Sequence, residues 1–165
     1  MVLLATIFAY LFLVAQYESW VVPIPVLLSV IFAIAGGLLG LMITQLPMSI
    51  YAQLGLVLLI GLSSKNAILM VEFSKDEHNK GTPVIEAGIQ GLTQRYRAVL
   101  MTAFTFILGV LPMLWATGAA SGSRRSLGTP AFWGMLLGTI LGLIFTPLLY
   151  ILVQTLVDRL YHKHK

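Results

Sequence analysis

Residues 50–73 form one apolar stretch long enough to cross a lipid bilayer, and a lysine stands in the middle of it. The chain there reads Gly61-Leu-Ser-Ser-Lys-Asn-Ala-Ile-Leu-Met-Val-Glu-Phe73. A bilayer core about 30 Å thick takes about 20 helical residues to span. An ammonium at that depth is costly unless it is paired or wetted. The nearest acid along the chain is Glu72, seven residues on, which is roughly 10 Å along a helix axis. Lys65 must therefore neutralise itself, face water, or pair with a group outside this sequence. An intramembrane charge points to a functional site, and the competing reading is a structural lysine in a satisfied interhelical pair. Burial readily moves a lysine's pKa, which suits it to sensing an ion or proton, with a carboxylate partner as the group that carries the proton.

The rest of the composition agrees with a membrane protein. Of the 165 residues 58% are hydrophobic and only 10% charged, with a mean hydropathy of +0.93; soluble domains carry about 25% charged residues. Cysteine is absent, so disulfides and thiolate metal sites are excluded. The pI near 9.6 does not indicate nucleic-acid binding. The basic residues flank apolar spans, where charge sets topology, and no basic stripe alternates with stacking aromatics.

Five apolar segments stand out, at 1–16, 23–43, 50–73, 98–115 and 129–157. Together they predict an all-α, polytopic membrane helix bundle of about five transmembrane helices. The middle three match a bilayer span in length, and the last is long enough to emerge from it. The first is short and has no basic residue before it, unlike a signal peptide. It reads as a membrane helix preceded by more protein. Lys75, Lys80, Arg95 and Arg97 lie between the third and fourth spans, and Arg159, Lys163 and Lys165 follow the fifth. The opposite side has only Arg124 and Arg125. Lys/Arg bias thus places the 74–97 loop and the C-terminus in the cytoplasm. Within that loop Thr82 and Pro83 read as a helix N-cap and first helical residue. Val84, Ile85, Ile89 and Leu92 would then make one apolar face, predicting a short surface helix over 83–93.

Gly36 and Gly40 share a face of the second span, and Gly134, Gly138 and Gly142 share one of the fifth. Small residues at this spacing let helix backbones approach closely in lipid. Asn66 and Ser64 adjoin Lys65, with Gly61 one turn earlier, giving the third span a small polar patch. Arg95 and Thr102, seven apart, lie on nearly the same helical face. Thr102 is placed to hydrogen-bond towards Lys65 or its partner, or back to a carbonyl of its own helix. The positive-inside rule alone also accounts for Arg95 and Arg97. Glu18, Ser19 and Trp20 follow the first span, where a tryptophan anchors the interface. His162 and His164 on the tail are weak metal-ligand candidates. No nucleotide-binding glycine loop, zincin helix or nucleophile elbow is present, so an enzyme is not expected.

Tyr17-Glu-Ser-Trp20 and the lysine-asparagine segment at 61–73 resemble the resistance–nodulation–division drug-efflux transporters. Arg95-Tyr-Arg-Ala-Val-Leu-Met-Thr102, Gly109-Val-Leu-Pro112 and Gly118-Ala-Ala-Ser-Gly122 follow in that family's order. The resemblance covers the whole chain and corresponds to the last five of twelve membrane helices. It implies a proton relay in which Lys65, Arg95 and Thr102 take part and Asn66 adjoins. It also implies paired aspartates on a helix outside this sequence, and periplasmic drug-binding and docking domains that this sequence lacks. The energy source would be the proton gradient, with no cofactor, in the bacterial inner membrane. The complete pump would be a homotrimer with a periplasmic adaptor and an outer-membrane channel, and the piece alone would be inactive. Pro130, Trp133 and the Arg124-Arg125 pair depart from the family's usual residues at the outer end of the last helix. The alternative is a small membrane-embedded binding or regulatory subunit whose Lys65 pairs with an acid on a larger transporter.

Overall fold

The computed structural model describes residues 1–17, 20 and 23–162, with side chains as far as residue 157. Glu18, Ser19 and the histidines of the tail lie outside the described side chains. Five helices follow one another: α1 (Val2–Tyr17), α2 (Pro23–Ile43), α3 (Ile50–Asn79), α4 (Val84–Leu114) and α5 (Ser121–His162). Among the described residues there is no strand. In lipid this is the expected outcome, since a helix satisfies its backbone groups without a neighbour. α2, α3, α4 and residues 121–157 of α5 are each long and apolar enough to cross a membrane. α1, at 16 residues, rises roughly 24 Å, short of a full bilayer core.

Local chemistry sets the helix ends. Ser49 caps α3, its hydroxyl accepting from the Ala52 amide at 3.2 Å. Gly81, at φ +96°, ends the same helix; glycine takes this left-handed conformation without a Cβ penalty. Pro83 precedes α4 and makes no side-chain cap bond. The helix therefore starts one residue later than the Thr82 cap predicts, and the Pro83 carbonyl accepts the Ala87 amide at 2.9 Å. The structure also differs from the sequence reading over 83–93, which forms the first turns of α4 and runs unbroken into the fourth span. The intervening Thr93-Gln-Arg-Tyr-Arg97 contains neither glycine nor proline, so nothing interrupts the hydrogen-bond ladder. Likewise α5 begins at Ser121, ahead of the expected 129, and carries Pro130 and Pro147 inside it.

α5 is the central helix, packed most extensively on α2 and also against α3 and α4; among the described residues α1 touches α2 and α3. One core cluster joins Leu13, Val26, Ala67, Val71 and Tyr150, and a second joins Ala33, Leu56, Leu59, Ala103 and Met135. The glycines explain how closely α2 and α5 approach. A Cβ on Gly36 would lie 2.8 Å from Leu137 Cβ and 3.0 Å from the Trp133 carbonyl oxygen. One on Gly40 would lie 2.5 Å from Trp133 Cδ1. One on Gly138 would meet Ala33 Cβ at 2.7 Å, and one on Gly134 would run into Leu59 and Ala33. Trp133 thus lies over Gly40. Gly142 departs from the expected packing role, since a Cβ there meets only Thr146 Oγ1, at 3.9 Å. At that level hydroxyl groups, not glycines, fill the seam between α2 and α5.

Candidate functional site

Lys65 and Asn66 stand near the middle of α3. The neighbours on the packed side of this helix, Ser64 and Ala67, are buried, Asn66 is half-buried and Lys65 is exposed. Helical geometry accounts for this: with α3 packed through Ser64, Ala67 and Val71, position 65 falls at the edge of the packed face. Lys65 borders two clefts. One, about 380 Å³, lies between α1 and α3 and is lined by Phe12, Gln16, Gly61, Ser64 and Glu72, among others. The other, about 460 Å³, opens between α3 and α4 with Met135 of α5 in its wall.

The second cleft brings together all four residues that the sequence singles out for a relay. Lys65, Asn66, Arg95 and Thr102 line it with Leu62, Leu69 and other apolar groups. Arg95 and Thr102 reach it because they sit two turns apart on one face of α4. The Arg95 guanidinium carbon lies 3.9 Å from the centroid of the Phe73 ring, a cation–π contact. Its Nε is buried without a hydrogen-bond partner. The Thr102 hydroxyl takes the local option and donates to the Val99 carbonyl of its own helix at 2.9 Å.

The cleft thus holds two cations in largely apolar walls, and no carboxylate is among its lining residues. Among the described residues the side-chain ion pair is Lys80–Glu77, at 2.7 Å on the exposed end of α3, and Lys65 is in none. Two cations with donors to spare can hold an anionic group between them. A carboxylate placed there would find charge compensation from Lys65 of α3 and Arg95 of α4. Sequence reasoning missed Phe73 as the platform for Arg95 and Met135 as part of the wall. Phe73 lies one residue beyond Glu72 in the lysine-asparagine segment, but nothing in its spacing signals a partner on another helix. Trp20, read as an interface anchor, is exposed and stands against Tyr10, the two ring centroids 6.4 Å apart.

Comparison with known proteins identifies the family. A family model described as the AcrB/AcrD/AcrF family matches residues 1–154. The chain is 42% identical over 158 residues to the solvent-resistant pump membrane transporter SrpB of Pseudomonas putida. It is 41% identical over 157 residues to the toluene efflux pump membrane transporter TtgE of the same species. It is also 41% identical over 157 residues to the multidrug resistance protein MdtF of Escherichia coli K12. These alignments cover 94–95% of this chain and 15% of each relative, so the chain spans about 15% of the length of the transporters it matches. With the family model covering nearly all of it, the chain belongs to the AcrB/AcrD/AcrF family of resistance–nodulation–division efflux transporters.

Proposed function

We propose that this chain supplies the C-terminal membrane part of a proton-driven exporter of drugs and other amphiphilic xenobiotics. Lys65, Arg95, Thr102 and Asn66 form the cationic half of its proton relay. The reading rests on one observation above the others: these four residues line a single cleft that contains two cations and no carboxylate. The missing anionic half is a pair of aspartates on another membrane segment of the complete transporter. Proton binding to those carboxylates weakens their pairing with Lys65, the helices reposition, and the movement drives export in the periplasmic part. This is secondary transport, with no bond-making chemistry and no cofactor beyond the proton gradient. The complete assembly would be a homotrimer in the bacterial inner membrane, working with a periplasmic adaptor and an outer-membrane channel, and the C-terminus would be cytoplasmic.

A chimera tests this reading. The corresponding segment of MdtF is replaced by this chain, and drug efflux is measured in a pump-deleted host with and without Lys65→Ala. Export by the chimera, with loss in the Lys65→Ala variant at equal membrane insertion, is the expected result. Undiminished export from a well-inserted Lys65→Ala chimera would reduce Lys65 to a structural residue.

A further inference from the structure

Asn66 borders a second, much smaller cavity of about 20 Å³ between α2, α3, α4 and α5, with Ser29, Ser63, Met70, Thr139, Gly142 and Thr146 also in its wall. By this measure roughly 10–15 Å³ is enough for one water molecule, provided it finds two to four polar partners. The hydroxyl groups here are deeply placed, since Ser29 is 4% and Thr146 2% exposed. Their hydrogens can be accounted for. Ser29 donates to the Pro25 carbonyl at 2.8 Å, which uses its single proton. The 2.7 Å contact between Ser29 Oγ and Thr146 Oγ1 is then donated by Thr146, leaving Thr146 Oγ1 with unused acceptor capacity.

Thr139 adds an independent observation. Its Oγ1 is buried and has no hydrogen-bond partner. Thr6, Thr93, Thr102, Thr105 and Thr155 each return their hydroxyl to a carbonyl of their own helix, at 2.6–2.9 Å. Thr139 forgoes that bond and contributes to the cavity wall. A buried hydroxyl without a partner is costly, more so where the surroundings are hydrocarbon, and an ordered water is the usual explanation.

We propose that this cavity is a binding site for a single water molecule held by Thr139, Thr146 and Asn66. The water accepts from both the Thr139 hydroxyl and the Asn66 amide and donates to Thr146 Oγ1, which meets the hydrogen-bonding needs of Thr139 and Thr146 counted above. Because Asn66 lines both this cavity and the cleft of Lys65, the water ties the orientation of its amide to α5. The site does not depend on the transport reading, as its occupancy is a property of the helix packing alone.

X-ray radiolytic footprinting of the purified chain in detergent micelles tests it. Hydroxyl radicals made from a bound water oxidise an adjacent methionine in place to the sulfoxide. Met70 lines the cavity and is only 3% exposed, so access from bulk solvent does not explain its labelling. Prompt oxidation of Met70, read by mass spectrometry, is the expected result. Gly142→Ala places a methyl in the cavity, meeting only Thr146 Oγ1 at 3.9 Å, and helix propensity favours the change. It should keep the fold and reduce Met70 oxidation several-fold. Thr139→Val removes a polar partner of the same shape and should do likewise; it decides the matter if the alanine variant does not fold. A folded wild-type chain whose Met70 stays unlabelled, or labelling that neither variant changes, would overturn the water site.

Discussion

Lys65 is exposed on α3 between buried Ser64 and half-buried Asn66, and that position decides what its substitution does. In the complete transporter Lys65→Ala should abolish export while leaving insertion intact. In the proposed relay, loss of the cation would leave its partner carboxylates uncompensated in a low-dielectric site. Lys65→Arg should also impair, since a planar guanidinium does not replace a compact ammonium. Efflux and insertion measured on the same samples check both. Thr102→Val should do much less harm, because the hydroxyl already donates within its own helix and its removal strands no partner. Phe73→Leu removes the ring beneath Arg95, and loss of that contact is worth about 0.5–1 kcal/mol at a partly exposed site. It should lower the unfolding free energy in detergent by that order, and an Arg95→Ala, Phe73→Leu double-mutant cycle reads the coupling directly.

At the level of elements, the α2–α5 seam and the continuity of α4 carry the tests. Gly40→Ala drives a methyl into Trp133, and overpacking of this kind costs about 1–3 kcal/mol. Gly109→Ala, with nothing within 4 Å of its Cβ, should be neutral or mildly stabilising, as alanine is about 1 kcal/mol better than glycine inside a helix. Denaturation of the two variants side by side separates packing from propensity. Thr93 lies where a separate surface helix would end, yet it sits inside α4 with its hydroxyl bonded to the Ile89 carbonyl. Thr93→Pro should therefore cost about 3 kcal/mol, the penalty for proline in a helix interior. A variant as stable as wild type would instead place a break between the surface segment and the fourth span.

For the whole molecule, the charge asymmetry across the spans sets the orientation. Reporter fusions after Lys165 and at Ser123 should report opposite sides of the membrane, with the former cytoplasmic; matching signals would refute the topology. The chain expressed alone should leave a pump-deleted host as drug-susceptible as before. The cleft lined by Lys65, Asn66, Arg95 and Thr102 has no carboxylate in its wall, and the chain spans only about 15% of the length of its relatives. A reproducible rise in resistance to several unrelated drugs would favour a stand-alone transporter.

Hydropathy and length were enough to determine the helical membrane class, because solvation by lipid acts on each segment by itself. Lys65 was legible for the same reason: a charge in an apolar stretch is anomalous whatever surrounds it. The run of motifs from Tyr17 to Gly122 also carries the resemblance to the family. Tertiary structure decided what depends on contacts between distant segments. It placed Arg95 and Thr102 beside Lys65 and Asn66, set Phe73 under Arg95 and laid Trp133 over Gly40. It separated Gly142 from the glycines that pack and turned Thr139 towards a cavity instead of its own helix. Helical periodicity shows which residues share a face, but the partner of that face is chosen by how five helices fill space together. The junction at 93–98 belongs with these, since an amphipathic segment next to an apolar one reads as two helices until their shared axis is seen.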